Sequence, residues 1–137
     1  MTNPDNELAN TTTINGSSRY YLGVGSGPAV LIMHGGLGLS HNYLRPYFDE
    51  LAEHNKVVYY NHFGKGQSVH YDEYGEMDFA RLTSDAAALR TQLGHENFTL
   101  IGHSYGGFSA QTFAAENGNR FNGLILINTV SAFIHEF

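Results

Sequence analysis

Gly102-His103-Ser104-Tyr105-Gly106-Gly107 sets a serine between glycines at i−2 and i+2. The apolar run Phe98-Thr99-Leu100-Ile101 enters this stretch, and a helix-like segment from Gly107 to Asn117 leaves it. In that context Gly-x-Ser-x-Gly reads as a nucleophile elbow, a sharp turn that lifts a serine hydroxyl out of a sheet. The glycines spare the turn two Cβ atoms that would collide with adjoining backbone. A helix beginning behind the serine aims N–H groups and partial positive charge at any oxyanion formed there. The chemistry implied is acyl transfer, with Ser104 as nucleophile. It needs two N–H donors converging on the tetrahedral oxygen. The backbone of Tyr105, the residue after the nucleophile, supplies one. His34-Gly35-Gly36-Leu37-Gly38 supplies the other through Gly36 N–H, its glycines letting backbone approach the substrate closely.

These residues need a scaffold that brings them together. Thr11 to Ile14 and Arg19 to Val24 read as two strands around Asn15-Gly16, a tight hairpin turn. Ala29-Val30-Leu31-Ile32-Met33 and Val57-Val58-Tyr59-Tyr60 are short and continuously apolar, as in strands buried on both faces. Leu44, Tyr47, Phe48 and Leu51 recur at i, i+3, i+4 and i+7, which predicts a helix over Asn42 to Glu53, with Pro46 in its first turn. A second helix is expected from a cap at Asp78 to Leu93, with Leu82, Ala86, Leu89 and Leu93 on one face and Gly94 as its stop. Gly107, Ala110 and Ala114 let the elbow helix sit close to the sheet. Gly118 ends it, and Leu124-Ile125-Leu126-Ile127 makes a further strand. Strand and helix alternate, so the fold class is α/β with a mostly parallel sheet. Met1 to Thr13 reads as a polar tail, and residues 14–137 as part of a single domain.

Ligands of such sheets bind beyond the carboxyl ends of the strands. Three loops meet that condition: His34-Gly35-Gly36, Asn61 to Ser68, and the elbow. His34 is read as structural within its own loop, and His103 as packing around the elbow. His41, His54, His62, His70 and His95 lack metal-ligand spacing and read as ordinary loop or surface histidines. Tyr59 and Tyr60 read as core. No metal and no cofactor is implied.

Composition narrows the partners. A formal charge of −6, with seven Lys and Arg spread thinly, disfavours nucleic acid and anionic membranes. The chain has no cysteine, hence no disulfide frame and no thiolate chemistry. The polar start lacks the pattern of a secretory signal, and no apolar run nears the ~20 residues of a membrane span. A cytoplasmic location is expected, with a small molecule or short peptide as substrate.

Three motifs together carry a resemblance: His34-Gly35-Gly36-x-Gly38, Tyr60-x-x-Phe63-Gly64-x-Gly66-x-Ser68, and Gly102-x-Ser104-x-Gly106-Gly107. Over about Ser18 to Asn128 the chain resembles the α/β-hydrolase superfamily, and within it most closely the proline iminopeptidases, which remove N-terminal residues from peptides. Leu37 and Asn61 depart from the family's usual proline and aspartate. The resemblance implies an α/β-hydrolase core with helices on both faces. It also implies a triad in the order serine, acid, histidine, its last two members on later strands. Those strands and the cap that sets substrate choice would follow the sixth strand, and residues 1–137 stop just past it. His135 and Glu136 are the only candidates there: some hydrolases place the acid after that strand, which keeps Glu136 as a minor candidate, while the base comes from a loop after the last strand, which disfavours His135. The expectation is therefore an incomplete catalytic domain, inactive alone, whose apolar last strand offers an edge to a second copy or a second chain. Alternatives on the same scaffold are an esterase or lactonase, or a truncated, non-catalytic binding domain.

Overall fold

The computed structural model describes residues 7–14, 16–36, 39–61, 79–118 and 120–131. Among these, six strands form one sheet. They are β1 (Glu7–Ile14), β2 (Ser17–Val24), β3 (Ala29–Met33), β4 (Lys56–Tyr60), β5 (Phe98–His103) and β6 (Phe121–Ile127). The spatial order is β1-β2-β4-β3-β5-β6. β4, β3, β5 and β6 run parallel, while β2 joins β4 antiparallel and β1 returns along β2.

The hairpin turns where Asn-Gly predicts it, with Ile14 opposite Ser17 and Gly16 at φ +79°. That φ lies in the left-handed region glycine enters without steric cost. The strand expected from Thr11 is there, but β1 starts four residues earlier, at Glu7, so residues 7–10 are not a loose tail. Their backbone groups pair in register with β2, and the β-branched run Thr11-Thr12-Thr13 suits an extended chain.

Side chains alternate across the central strands. Leu31, Met33, Val58, Tyr60 and Leu100 face one core cluster, and Val30, Ile32, Val57, Tyr59 and Ile101 face the other. The first cluster is closed by α1 (Phe79–Gln92) and α2 (Tyr105–Asn117) through Ala86, Leu89, Ala110 and Phe113. Helix α1 ends as the sequence indicates: Gly94 has φ +75°, and His95 N–H reaches back to Arg90 O at 3.1 Å. Its expected cap, Asp78, lies outside the described residues, as does the Leu82 side chain.

The helix expected over Asn42 to Glu53 does not form. Two short 3-10 segments, His41–Leu44 and Asp49–Glu53, cover the second face instead. Arg45 between them is extended, at φ −90° and ψ 145°. The ring of a following proline excludes the helical region for the preceding residue, and here that constraint outweighs the apolar periodicity. As a result Tyr47 is 79% exposed, whereas Leu44 and Phe48 pack on the sheet.

One buried ion pair ties the antiparallel ribbon to α1. Arg19 Nε and Nη2 donate to Asp85 Oδ2 at 2.9 and 2.6 Å, and both side chains are almost fully buried. Tyr60 lies within reach of both charges; burial first, then the Asp85 charge, pushes its hydroxyl pKa far up. Removing one partner strands a charge in the core. Asp85→Ala is therefore expected to cost ~3–5 kcal/mol in urea unfolding, and the double change Arg19→Met with Asp85→Leu to recover most of it. An unchanged midpoint for Asp85→Ala would show that the pair holds nothing together.

Candidate active site

Every strand from β3 to β6 delivers its carboxyl end to the same edge of the sheet, and the elbow sits in the middle of that edge. β5 ends at His103 and α2 opens at Tyr105, so Ser104 alone makes the turn, at φ +53° and ψ −118°. A residue with a Cβ held at such a positive φ stores on the order of 1–3 kcal/mol of strain. Three backbone ties fix it. Ser104 N–H donates to Ile127 O at 3.0 Å, and Ser104 O accepts from Gly107 N–H at 3.0 Å and Thr129 Oγ1 at 2.7 Å. The end of β6 thus grips both sides of the serine's backbone, a contact that nothing in the sequence signals.

The glycines around the serine are there because of close approach. A Cβ on Gly102 would lie 2.7 Å from Gly106 O and from Gly107 Cα. A Cβ on Gly106 would land on the Met33 carbonyl oxygen, and one on Gly107 would strike the Thr129 side chain. Helix α2 therefore rests directly on the end of β3. Its buried stripe is Gly106, Gly107, Ser109, Ala110 and Phe113, with Ala114 only partly buried.

The loop after β3 reaches the serine. A Cβ on Gly35 would stand 2.9 Å from Ser104 Cβ, so the loop packs against the Ser104 side chain. Gly36 follows at φ +68°. His34 is fully buried and its Nδ1 lies 2.9 Å from Gly35 O, the structural role expected of it. His103 Nδ1 meets Tyr43 Oη at 2.6 Å, and Tyr43 Oη also accepts from Gly35 N–H at 2.6 Å. Leu37, Gly38 and residues 62–68 of the third loop lie outside the described residues, as do His135 and Glu136.

His41 is not the ordinary loop histidine expected from sequence. It is buried against Tyr20 and Tyr59, and both its backbone N–H and Nδ1 contact Asn61 Oδ1, at 3.1 and 2.7 Å. Burial lowers its pKa, outweighing the opposing Asn61 hydrogen bond. An amide oxygen only accepts, so His41 Nδ1 carries the hydrogen. Asn61, the departure from the resembled family's aspartate, thus holds the 3-10 turn His41–Leu44 against the end of β4. Next to it, Asp49 is chelated by Arg45 Nε and Nη2 and accepts from Tyr59 Oη at 2.7 Å. Burial alone would raise the carboxyl pKa; the Arg45 fork and the Tyr59 hydroxyl reverse that and lower it. The four-residue spacing of Arg45 and Asp49 was the only visible signal for this cluster. Among the described residues no three metal-binding side chains gather, and no helix is long and apolar enough to cross a membrane.

A family model described as alpha/beta hydrolase fold matches residues 28–137. The chain belongs to that family. This alpha/beta hydrolase is similar to a proline iminopeptidase of Saccharolobus solfataricus, 32% identical over 109 residues that cover 79% of this chain and 35% of the relative. It is also similar to a cis-3-alkyl-4-alkyloxetan-2-one decarboxylase of Shewanella oneidensis, at 30% identity over 84% of this chain and 36% of the relative. Among solved structures, a proline iminopeptidase-related protein from Thermus thermophilus superposes with TM-score 0.83 at 27% identity, covering 90% of this chain and 45% of that one. An epoxide hydrolase superposes with TM-score 0.86 at 26% identity, covering 93% of this chain and 44% of that one. The hydrolase chain therefore spans well under half the length of the relatives it matches.

Proposed function

We propose that this chain carries the nucleophile and oxyanion hole of a serine hydrolase of the proline iminopeptidase type. The observation that carries the reading is Ser104, held at a strained φ of +53° at the mouth of the sheet and in contact with the His-Gly-Gly loop. Ser104 Oγ attacks the substrate carbonyl as a general base takes its proton, giving a tetrahedral oxyanion. Backbone N–H groups of Gly36 and Tyr105 stabilise that oxyanion. Collapse expels the amine, which takes the proton, and water then hydrolyses the acyl-enzyme by the same steps. Gly35 N–H is engaged by Tyr43, which supports assigning the loop's donor to Gly36 instead.

In a triad the acid holds the histidine's Nδ1; Nδ1 of His41 meets an amide oxygen and Nδ1 of His103 a phenol, neither of them a carboxylate. This supports assigning the triad acid and histidine to residues other than these. β6 supports that reading too: it is the last strand in the sheet order, with Ile125 48% and Leu126 39% exposed. An apolar edge of this kind is a template for a further strand, beyond those described. The net charge of −6 and the absence of cysteine fit a cytoplasmic enzyme acting on short peptides.

An esterase or lactonase is the second reading, favoured by the similarity to an oxetan-2-one decarboxylase, whose named substrate is a lactone ring. The same site serves either, because fold does not fix substrate. Assaying the complete enzyme, with its acid and histidine present, on prolyl p-nitroanilide, a p-nitrophenyl ester and a β-lactone separates the two. Faster turnover of the prolyl anilide is expected. Turnover of ester or lactone with none of the anilide would overturn the peptidase assignment.

A further inference from the structure

The two oxyanion donors assigned above come from different elements, the loop after β3 and the start of α2, so something must fix their spacing. Among the described residues the Tyr43 side chain touches both the loop and, through His103, the end of β5 next to Ser104. Its Oη accepts from Gly35 N–H at 2.6 Å and lies 2.6 Å from His103 Nδ1, with the two rings 5.4 Å apart. A Cβ on Gly35 would lie 2.9 Å from both Tyr43 Oη and Ser104 Cβ, and 3.0 Å from His103 O. The phenol and the Ser104 side chain thus crowd the same side of Gly35.

We propose that Tyr43 is a positioning residue that sets the oxyanion hole by bridging Gly35 N–H to His103 Nδ1. The inference rests on the serine-hydrolase reading and adds to it a residue outside the family motifs quoted above. Proton counting gives the bridge a direction. Gly35 N–H already donates to the phenol oxygen, and we assign the phenol's single hydrogen to His103 Nδ1, its other partner at 2.6 Å. Nδ1 is then a bare acceptor, and His103 is held as the Nε2–H tautomer. Burial raises the Tyr43 pKa, only partly offset by the Gly35 bond, which keeps the phenol protonated and able to donate. With phenylalanine at 43, the loop and the elbow lose their shared partner. A displacement of ~1 Å in such a constellation costs about 100-fold in rate.

Two measurements on the complete enzyme, with its acid and histidine present, test this. The first is the histidine nitrogen spectrum by 15N NMR, which is independent of activity. His103 is expected as a single Nε2–H tautomer in the parent and as a tautomer mixture in Tyr43→Phe; a protonated Nδ1 in the parent would overturn the bridge. The second is the rate of fluorophosphonate labelling at Ser104, whose phosphoryl oxygen enters the same hole. Tyr43→Phe is expected to slow labelling ~10- to 100-fold with the protein still folded by circular dichroism. His103→Asn, whose Oδ1 stands in for Nδ1, should label near the parental rate, while His103→Leu should slow as Tyr43→Phe does. Equal slowing of the Asn and Leu variants, or an unchanged rate in Tyr43→Phe, overturns the positioning role alone. A parent protein that takes no label overturns the serine-nucleophile reading, and the positioning role with it.

Discussion

Ser104→Ala is expected to abolish covalent labelling of the complete enzyme by a fluorophosphonate and to leave no measurable turnover. The hydroxyl is the only atom the substitution removes. Where a serine is the nucleophile, its loss costs on the order of 10⁶-fold in turnover, because the remaining groups act only through it. The variant should nevertheless fold and melt close to the parent. Alanine keeps a Cβ at φ +53°, so the strain is retained, and the ties to Ile127, Gly107 and Thr129 run through backbone atoms of residue 104. Loss of label with unchanged melting is therefore the signature of a nucleophile. Label appearing equally on both proteins would move the chemistry to another residue.

Gly106→Val is expected to lose more than ~4 kcal/mol, beyond the range of ordinary substitutions, and Gly106→Ala to come close to it. The reason is what the new Cβ would meet. It would fall on the Met33 carbonyl oxygen and 2.6 Å from the His34 carbonyl oxygen, both backbone atoms. The Met33 carbonyl cannot withdraw, since β3 is hydrogen-bonded to β4 on one side and β5 on the other. Relief would require lifting α2 off the sheet, which uncovers Ala110 and Phe113. Gly123→Ala is the matching control: its nearest contact is Thr99 Cγ2 at 3.8 Å, ordinary van der Waals distance. It should change stability by no more than ~0.5 kcal/mol in the same urea titration. Equal midpoints for the two alanine variants would mean that the helix does not rest on β3.

What the sequence determined by itself was the sheet and the chemistry-bearing turn. β3, β4 and β5 were legible because a strand buried on both faces must be apolar at every position, and few other elements that short are. The hairpin was legible because Asn-Gly has few other uses, and the end of α1 because Gly94 supplies the left-handed residue a helix stop requires. The glycines about Ser104 marked the elbow for the same kind of reason: each removes a Cβ that local geometry cannot hold. Tertiary structure alone decided the rest. The repeat Leu44, Tyr47, Phe48, Leu51 gave a helical period, but Pro46 broke it and the sheet kept only part of the stripe. Residues 7–10 looked like a tail until β2 offered them a partner. Arg19 and Asp85 are 66 residues apart, Tyr43 and His103 are 60 apart, and Thr129 lies 25 beyond Ser104. A local pattern can state what a residue's neighbours in the chain allow. Which donor finally meets which acceptor depends on how β3, β5 and β6 bring their ends together, and that is fixed only once the core has packed.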